Sequence, residues 1–273
     1  MSKETPQERG LRMGLETLQG GRAQGFFSPY RYADRVSAPE GYPELEAVFL
    51  AAEPAMECVL DRIDANADAL AALAGPPPMP RWDQSWFPRL DGAATWAVVS
   101  EARPARIIEV GSGHSTRMLV HAAPKAAITC IDPQPRADIS ALGVETVPRV
   151  LSQDDVARFA ALEAGDVAFF DSSHILWPGT DVDMILNRIL PALRPGVLVH
   201  IHDVLLPDPY PAEWDWRGYT EHNGLSGWLC GRTETLWASH YARTRMGAAE
   251  RSGVARLPIP EGAFETSLWL RMT

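Results

Sequence analysis

The chain has 273 residues, a formal net charge of −10 and a pI near 5.2. That acidity, with no basic cluster to offset it, argues against a phosphate-backbone partner, so no nucleic acid is expected. No apolar run approaches the length of a membrane span, and the polar start Met-Ser-Lys-Glu-Thr-Pro-Gln-Glu-Arg does not read as a signal peptide, so a cytoplasmic protein with no membrane attachment is expected.

Residues 1–24 are polar and glycine-containing and are predicted to be loosely ordered. Residues 25–42 carry Phe26, Phe27, Tyr30, Tyr32 and Tyr42 among prolines and glycines, which predicts an aromatic loop. From Glu44 the pattern turns helical. Met56, Val59, Leu60, Ile63, Leu70 and Leu73 fall on one stripe, with Asp61, Asp64 and Asp68 opposite. Gly75-Pro76-Pro77-Pro78 ends it. One stripe is too little to fold alone, so residues 1–80 are predicted to form an N-terminal extension and helical cap, or lid. It would dock on a second domain, 81–273, or on another copy of the chain, which leaves a homodimer open. A further helix is predicted over 92–102.

From Arg106 strands and helices alternate. Strands are predicted at 106–110, 127–131, 144–147, 166–170 and 196–202, with helices near 115–123, 136–141, 154–163 and 180–193. An irregular stretch, Pro207–Tyr219, precedes a helix near 220–230. Strands at 234–239 and 266–271 follow, separated by a long charged linker, 242–262. Buried apolar strands alternating with helices imply an α/β fold with a doubly wound, mostly parallel sheet of seven strands. Cys58, Cys130 and Cys230 have no metal or redox spacing, and Cys130 reads as a small core residue.

The turn after the first strand is the densest signal. Arg106-Ile-Ile-Glu-Val-Gly-Ser-Gly-His-Ser-Thr116 reads as strand, tight turn and helix start. Gly111 and Gly113 place no Cβ in the way of a ligand, and the helix start adds unpaired N–H groups. The second strand ends in Asp132, 21 residues after Gly111, where an acid suits a ribose diol. A dinucleotide site normally has a third small residue where Thr116 stands, and no acid at Glu109. An acid before the turn disfavours a pyrophosphate and suits the ammonium and water shell of a methionine moiety. Here the chain resembles the class I S-adenosylmethionine (SAM)-dependent methyltransferases, whose first motif is an acid-x-Gly-x-Gly turn. The resemblance implies their Rossmann-like seven-stranded sheet with an antiparallel final strand. It also implies SAM as cofactor, held by Glu109, Gly111, Ser112, Gly113, Ser115, Asp132, Gln153 and Asp171. A nucleoside-binding protein without chemistry is the plain alternative.

Ligands of open α/β sheets sit beyond the carboxyl ends of the strands. The fourth strand ends in Asp171-Ser172-Ser173-His174 and the fifth in His202-Asp203, so two histidines and two aspartates should converge. Helix capping by the serines is the structural alternative. Asp-Ser-Ser-His, and His-Asp followed by an aromatic, proline-rich loop, resemble a small-molecule subfamily of the class I enzymes; Arg217–Asn223 has a counterpart there in different wording. The resemblance spans residues 80–240 and implies transfer to a small-molecule acceptor, at oxygen or alternatively at nitrogen. His202 is the first candidate base and His174 the second, with Asp171 beside them. His200 lies inside the strand and reads as a core residue. Some class I O-methyltransferases hold Mg²⁺ at the places that Asp171, His202 and Asp203 occupy here, although Mg²⁺ prefers oxygen to imidazole. Joined by His174, one of these aspartates and His202 would make a two-His-one-carboxylate set for iron, the signature of a different class, an oxygenase. Tyr30, Trp86, Phe87, Trp214, Trp216 and Tyr219 flank the strand ends and are predicted to line the acceptor pocket.

Overall fold

The computed structural model describes residues 4–26, 29–37 and 39–273; Phe27 of the predicted aromatic loop lies outside them. Seven strands, β1 (Arg106–Val110), β2 (Ala127–Ile131), β3 (Glu145–Val147), β4 (Val167–Phe170), β5 (Leu198–Ile201), β6 (Thr233–Ala238) and β7 (Leu268–Met272), form one sheet in the order β3-β2-β1-β4-β5-β7-β6. The five strands β1 to β5 run parallel, and β7 runs antiparallel to both β5 and β6. The central strands β4 and β5 are buried throughout, because helices cover both faces. Strand order reverses between β1 and β4, so their carboxyl ends splay apart there and open a crevice.

The helices are α1 (Pro6–Leu18), α2 (Pro43–Ala65), α3 (Ala67–Ala71), α4 (Arg89–Ala102), α5 (His114–Ala122), α6 (Val156–Ala160), α7 (Asp181–Met184), α8 (Leu190–Ala192), α9 (Ser226–Leu229) and α10 (Ser239–Arg245), with a π-helical turn, Ile185–Ile189, joining α7 to α8. The apolar stripe of α2 packs on β6 and α4, and its Met56, Leu60 and Ile63 belong to the same core as the sheet residues. The stripe is therefore covered by the chain itself.

Several elements depart from the sequence reading. Residues 1–24 contain α1, which a capping box starts: Glu8 N–H donates to Thr5 Oγ1 at 3.2 Å, and Thr5 N–H donates to Glu8 Oε2 at 2.8 Å. No residue of α1 whose side chain is described is buried, and Leu11, Leu15 and Leu18 stay exposed. The helix predicted at 136–141 is only a 3₁₀ turn, Ser140–Leu142. That at 154–163 is a 3₁₀ turn, Gln153–Asp155, running into the short α6. That at 220–230 breaks into a turn, Glu221–Gly224, and α9. These segments are too short to carry a helical period of their own, and side-chain ties shape them instead. Asp155, for example, accepts from Arg149 Nη1 at 2.7 Å and from Ser152 N–H at 2.9 Å. The linker 242–262 is not free either. It begins in α10, and Arg251 donates to Glu57, Asp61 and Asp64 of α2 at 2.8, 2.5 and 2.7 Å.

Candidate functional site

The glycine turn is wedged beneath the end of β4. Gly111 has φ +77°, and a Cβ there would stand 1.8 Å from the carbonyl oxygen of Asp171. Only glycine fits, and the packing of β1 against β4 demands it before any ligand does. Gly113, at φ +154°, faces Ala137 more loosely, at 3.2 Å. Its N–H donates to Thr116 Oγ1 at 2.9 Å.

Glu109 and Ser115 do not line the cleft. Glu109 is fully buried and accepts from Ser115 Oγ at 2.6 Å, Thr116 Oγ1 at 2.7 Å and Cys130 Sγ at 3.3 Å. Burial pushes its carboxyl up to about 7 despite these donors. The pair fastens β1 to the first turn of α5.

Asp132 does face the cleft, half-buried. One carboxylate oxygen accepts from Ser112 N–H at 2.7 Å and Ser112 Oγ at 2.8 Å, and the other from Gln134 N–H at 2.7 Å. With Gly111, Ser112, Val150, Leu151 and Asp171 it lines a cavity of about 210 Å³. Gln153 is absent from that lining; Val150 and Leu151, from the loop after β3, stand there instead. Their position after a strand was the available signal, and their lack of polar atoms hid it.

At the ends of β4 and β5, Asp171, His174, His202 and Asp203 come together. His174 Nε2 stands 3.1 Å from Asp171 Oδ1 and 3.4 Å from Asp203 Oδ2, and His202 Nδ1 stands 3.6 Å from each of Asp171 Oδ1 and Asp203 Oδ1. Two acids outside the sequence-derived set hold the opposite ring nitrogens. Glu221 Oε2 meets His174 Nδ1 at 2.8 Å, and Asp91 Oδ2 meets His202 Nε2 at 3.2 Å. Thr266 Oγ1 donates to Asp203 at 3.1 Å. Backbone at two corners is left-handed without glycine, at His174 (φ +60°) and Asp203 (φ +55°). Such conformations cost on the order of 1–3 kcal/mol each and gather at functional sites.

Burial opposes charge on both rings, but the surrounding carboxylates prevail and hold His174 and His202 well above the ordinary histidine range. Burial likewise opposes charge on Asp171, and His202 and His174 overcome it, holding the acid well below its usual range. A ring held in this way carries its proton, which it must release before it can accept another. His200 is different: fully buried and stacked on Phe169 at 3.7 Å, it meets Ser267 Oγ at 2.8 Å and is pushed well below the usual range. It is a neutral core residue.

The cluster floors a second cavity of about 400 Å³, walled by Trp86, Trp214, Trp216, Tyr219 and Phe264. Arg136 lies 4.4 Å over the Trp86 ring, and Arg217 lies 4.5 Å over Trp214. Beyond Trp216 the space continues into a groove of about 910 Å³ lined by Arg9, Gly10 and Met13 of α1. Two predicted wall residues fall elsewhere. Phe87 is buried behind the floor, 5.4 Å from the His202 ring, and Tyr30 is 61% exposed and outside either cavity.

Residues 108–204 match the family described as "Methyltransferase domain". No curated protein matches the sequence. Among solved structures, the O-methyltransferase from Bacillus cereus, in complex with SAH, is 15% identical over 89% of this chain and 96% of its own, with a TM-score of 0.45. MycE methyltransferase from the mycinamycin biosynthetic pathway, in complex with Mg, SAH and mycinamycin VI, is 19% identical over 62% of this chain and 45% of its own, with a TM-score of 0.34. An O-methyltransferase family protein from Burkholderia thailandensis is 18% identical over 77% of this chain and 59% of its own, with a TM-score of 0.35. The matched residues, 108–204, hold the glycine turn, Asp132 and the ends of β4 and β5.

Proposed function

We propose that this protein transfers a methyl group from SAM to an oxygen of a small molecule. One observation carries the reading: Asp171 and Arg136 each line both the glycine-turn cavity and the aromatic cavity, so cofactor and acceptor would meet at these two side chains. SAM, when bound, supplies a methyl group already activated on a sulfonium sulfur. The residues present fit it. The turn offers backbone unobstructed by side chains, and Asp132 offers a carboxylate suited to a ribose diol. Asp171, held ionised, marks where the two ligands join.

The aromatic walls would orient a planar acceptor and keep water out, which is the larger share of catalysis when the leaving group is good. The His/Asp floor favours oxygen over nitrogen. A hydroxyl must lose a proton on methylation, whereas a neutral amine attacks with a lone pair it already has. For His202 or His174 to take that proton, the ring must first release the one its carboxylate neighbours hold on it. Alternatively Asp171, His202 and Asp203 would hold a divalent ion, which when bound acidifies a hydroxyl. One carboxylate and two imidazoles, Asp171, His174 and His202, present donor atoms within 4.8 Å of one another with Asp203 beside them, a donor set that fits such an ion.

Calorimetry tests the cofactor. SAM or S-adenosylhomocysteine should bind and NAD should not. Asp132→Ala should weaken binding by roughly 2–4 kcal/mol, tens- to several-hundred-fold, through lost hydrogen bonds to a charged acceptor. Tight NAD binding with no response to SAM would overturn the reading.

A further inference from the structure

We propose that Asp171, His174 and His202, with Asp203 beside them, form a mixed nitrogen–oxygen site for a borderline first-row transition ion of the Mn²⁺ to Zn²⁺ series, and not for Mg²⁺. The ion's use in methyl transfer rests on the reading above; its binding does not.

Spacing is the first argument. Direct hydrogen bonds between a charged imidazole and a carboxylate run about 2.7–2.9 Å. The four inward contacts are 3.1, 3.4, 3.6 and 3.6 Å. Bonds of about 2.1 Å to a common centre put donors about 3.0 Å apart at octahedral right angles and about 3.4 Å apart at tetrahedral ones. Asp171 Oδ1, His174 Nε2 and His202 Nδ1 face one another at spacings that a single ion would bridge, with His174 Nε2 also within hydrogen-bond reach of Asp171 Oδ1. Among the described residues, Asp171, His174 and His202 are also the one group of His, Cys, Asp and Glu whose donor atoms lie within 4.8 Å of one another.

Orientation is the second. Each ring is fixed from behind by a buried carboxylate, Glu221 at 2.8 Å and Asp91 at 3.2 Å, so the nitrogens that face Asp171 and Asp203 point at the same space. A ligating histidine almost always donates its other N–H to such an outer partner. The outer partners are anchored in turn. Asp91 accepts from the backbone N–H groups of Thr266 and Ser267, and Glu221 N–H donates to the carbonyl of His174 at 3.1 Å. That contact, with Thr220 N–H at 2.9 Å to the same carbonyl, holds His174 in its left-handed conformation.

Chemistry is the third. Mg²⁺ demands near-ideal octahedral oxygen and keeps its water, whereas imidazole suits the later divalent ions. His174 decides the matter, because it turns an oxygen-dominated set into one with two nitrogens. Two carboxylates balance the charge of the ion, and all four residues line the 400 Å³ cavity, which gives an entry path.

The experiment strips the full-length protein with chelator and titrates it with Co²⁺, following visible absorption, with calorimetry for Zn²⁺, Mn²⁺ and Mg²⁺. Co²⁺ should bind one per chain with visible bands, equimolar Zn²⁺ should displace it, and a thousandfold excess of Mg²⁺ should not. His174→Asp should weaken Zn²⁺ at least a hundredfold and narrow the gap to Mg²⁺. Because His174 is buried, Glu221→Gln serves as a second variant that only loosens the ring, with Zn²⁺ affinity falling ten- to a hundredfold. Displacement of Co²⁺ by comparable Mg²⁺ overturns the proposal, as does a folded His174→Asp with undiminished Zn²⁺ affinity, or no stoichiometric ion at all. SAM calorimetry on the same samples separates the two readings. SAM binding without transition-ion binding leaves methyl transfer standing and removes this site; ion binding without SAM binding does the reverse.

Discussion

Asp91 and His202 meet carboxylate to ring at 3.2 Å, although 111 residues separate them in the chain. Asp91 stands in the first turn of α4, fully buried, and also accepts the backbone N–H groups of Thr266 at 2.9 Å and Ser267 at 2.8 Å. One side chain thus ties α4 to the approach to β7 and aims His202 at the cleft. Asp91→Ala would leave two buried donors without acceptors, at about 1–3 kcal/mol each, so the expected loss is roughly 2–6 kcal/mol. Urea unfolding measures it. A variant within 1 kcal/mol of the parent would show that the carboxylate is not the tie.

Gly111→Ala should fail more abruptly. Its Cβ would meet the Asp171 carbonyl at 1.8 Å, and the backbone at φ +77° already strains an alanine. Overpacking of this kind, against backbone that cannot step aside, costs upward of about 3 kcal/mol. We expect an insoluble protein, or a folded one with Asp171 displaced and SAM binding gone. Gly113→Ala has only a 3.2 Å approach to Ala137 to relieve and should fold with a smaller loss. If thermal unfolding of Gly111→Ala matches the parent, β1 and β4 are not interlocked as described.

Glu109 gives the protein a pH window. Its carboxyl is raised from 4.5 to about 7 by burial. The unfolded chain releases this proton near 4.5 and the folded chain keeps it until about 7. The stabilisation is therefore fully present below pH 4.5 and is lost as pH rises through 7, by roughly 3 kcal/mol across the window. Glu109→Gln should remove that slope. A parent and a variant whose unfolding midpoints change in parallel between pH 4.5 and 7.5 would contradict it.

How much of this was legible in the sequence follows from how local each feature is. The glycine turn, Asp132 and the polar residues after β4 and β5 are set by strand ends, and a parallel sheet brings strand ends together whatever the loops do. The partners that complete the site are not local. Glu221 reaches His174 across 47 residues, and Thr266 reaches Asp203 across 63. No periodicity encodes such a contact. The start of α1 was legible in Thr5-x-x-Glu8, but its polar composition concealed it. Glu109 misleads in the opposite direction. An acid before a glycine turn invites a ligand, and only the positions of Ser115, Thr116 and Cys130 show that it turns inward.

The last prediction concerns residues 1–40. α1 contributes no described buried side chain, yet it covers the groove that continues the aromatic cavity: Arg9 lies 5.5 Å over the Trp216 ring, and Gly10 packs on Trp216. α2, in contrast, supplies Phe49, Met56, Leu60 and Ile63 to the core, and Tyr42 N–H donates to the Pro207 carbonyl at 2.8 Å. A cut after residue 40 separates the two roles. The shortened chain should fold, since none of the described side chains that are removed is buried, and should keep SAM affinity within about threefold, since the glycine-turn cavity lies apart from α1. Its KM for any acceptor the full chain methylates should rise by roughly five- to thirtyfold, the equivalent of about 1–2 kcal/mol of lost wall contact. A cut after residue 80 should not give a soluble protein, because each large core side chain taken away costs about 2–5 kcal/mol. If the shorter cut leaves the acceptor KM unchanged, α1 is no part of the acceptor site. If instead it abolishes SAM binding, α1 supports the fold in a way its exposure does not reveal.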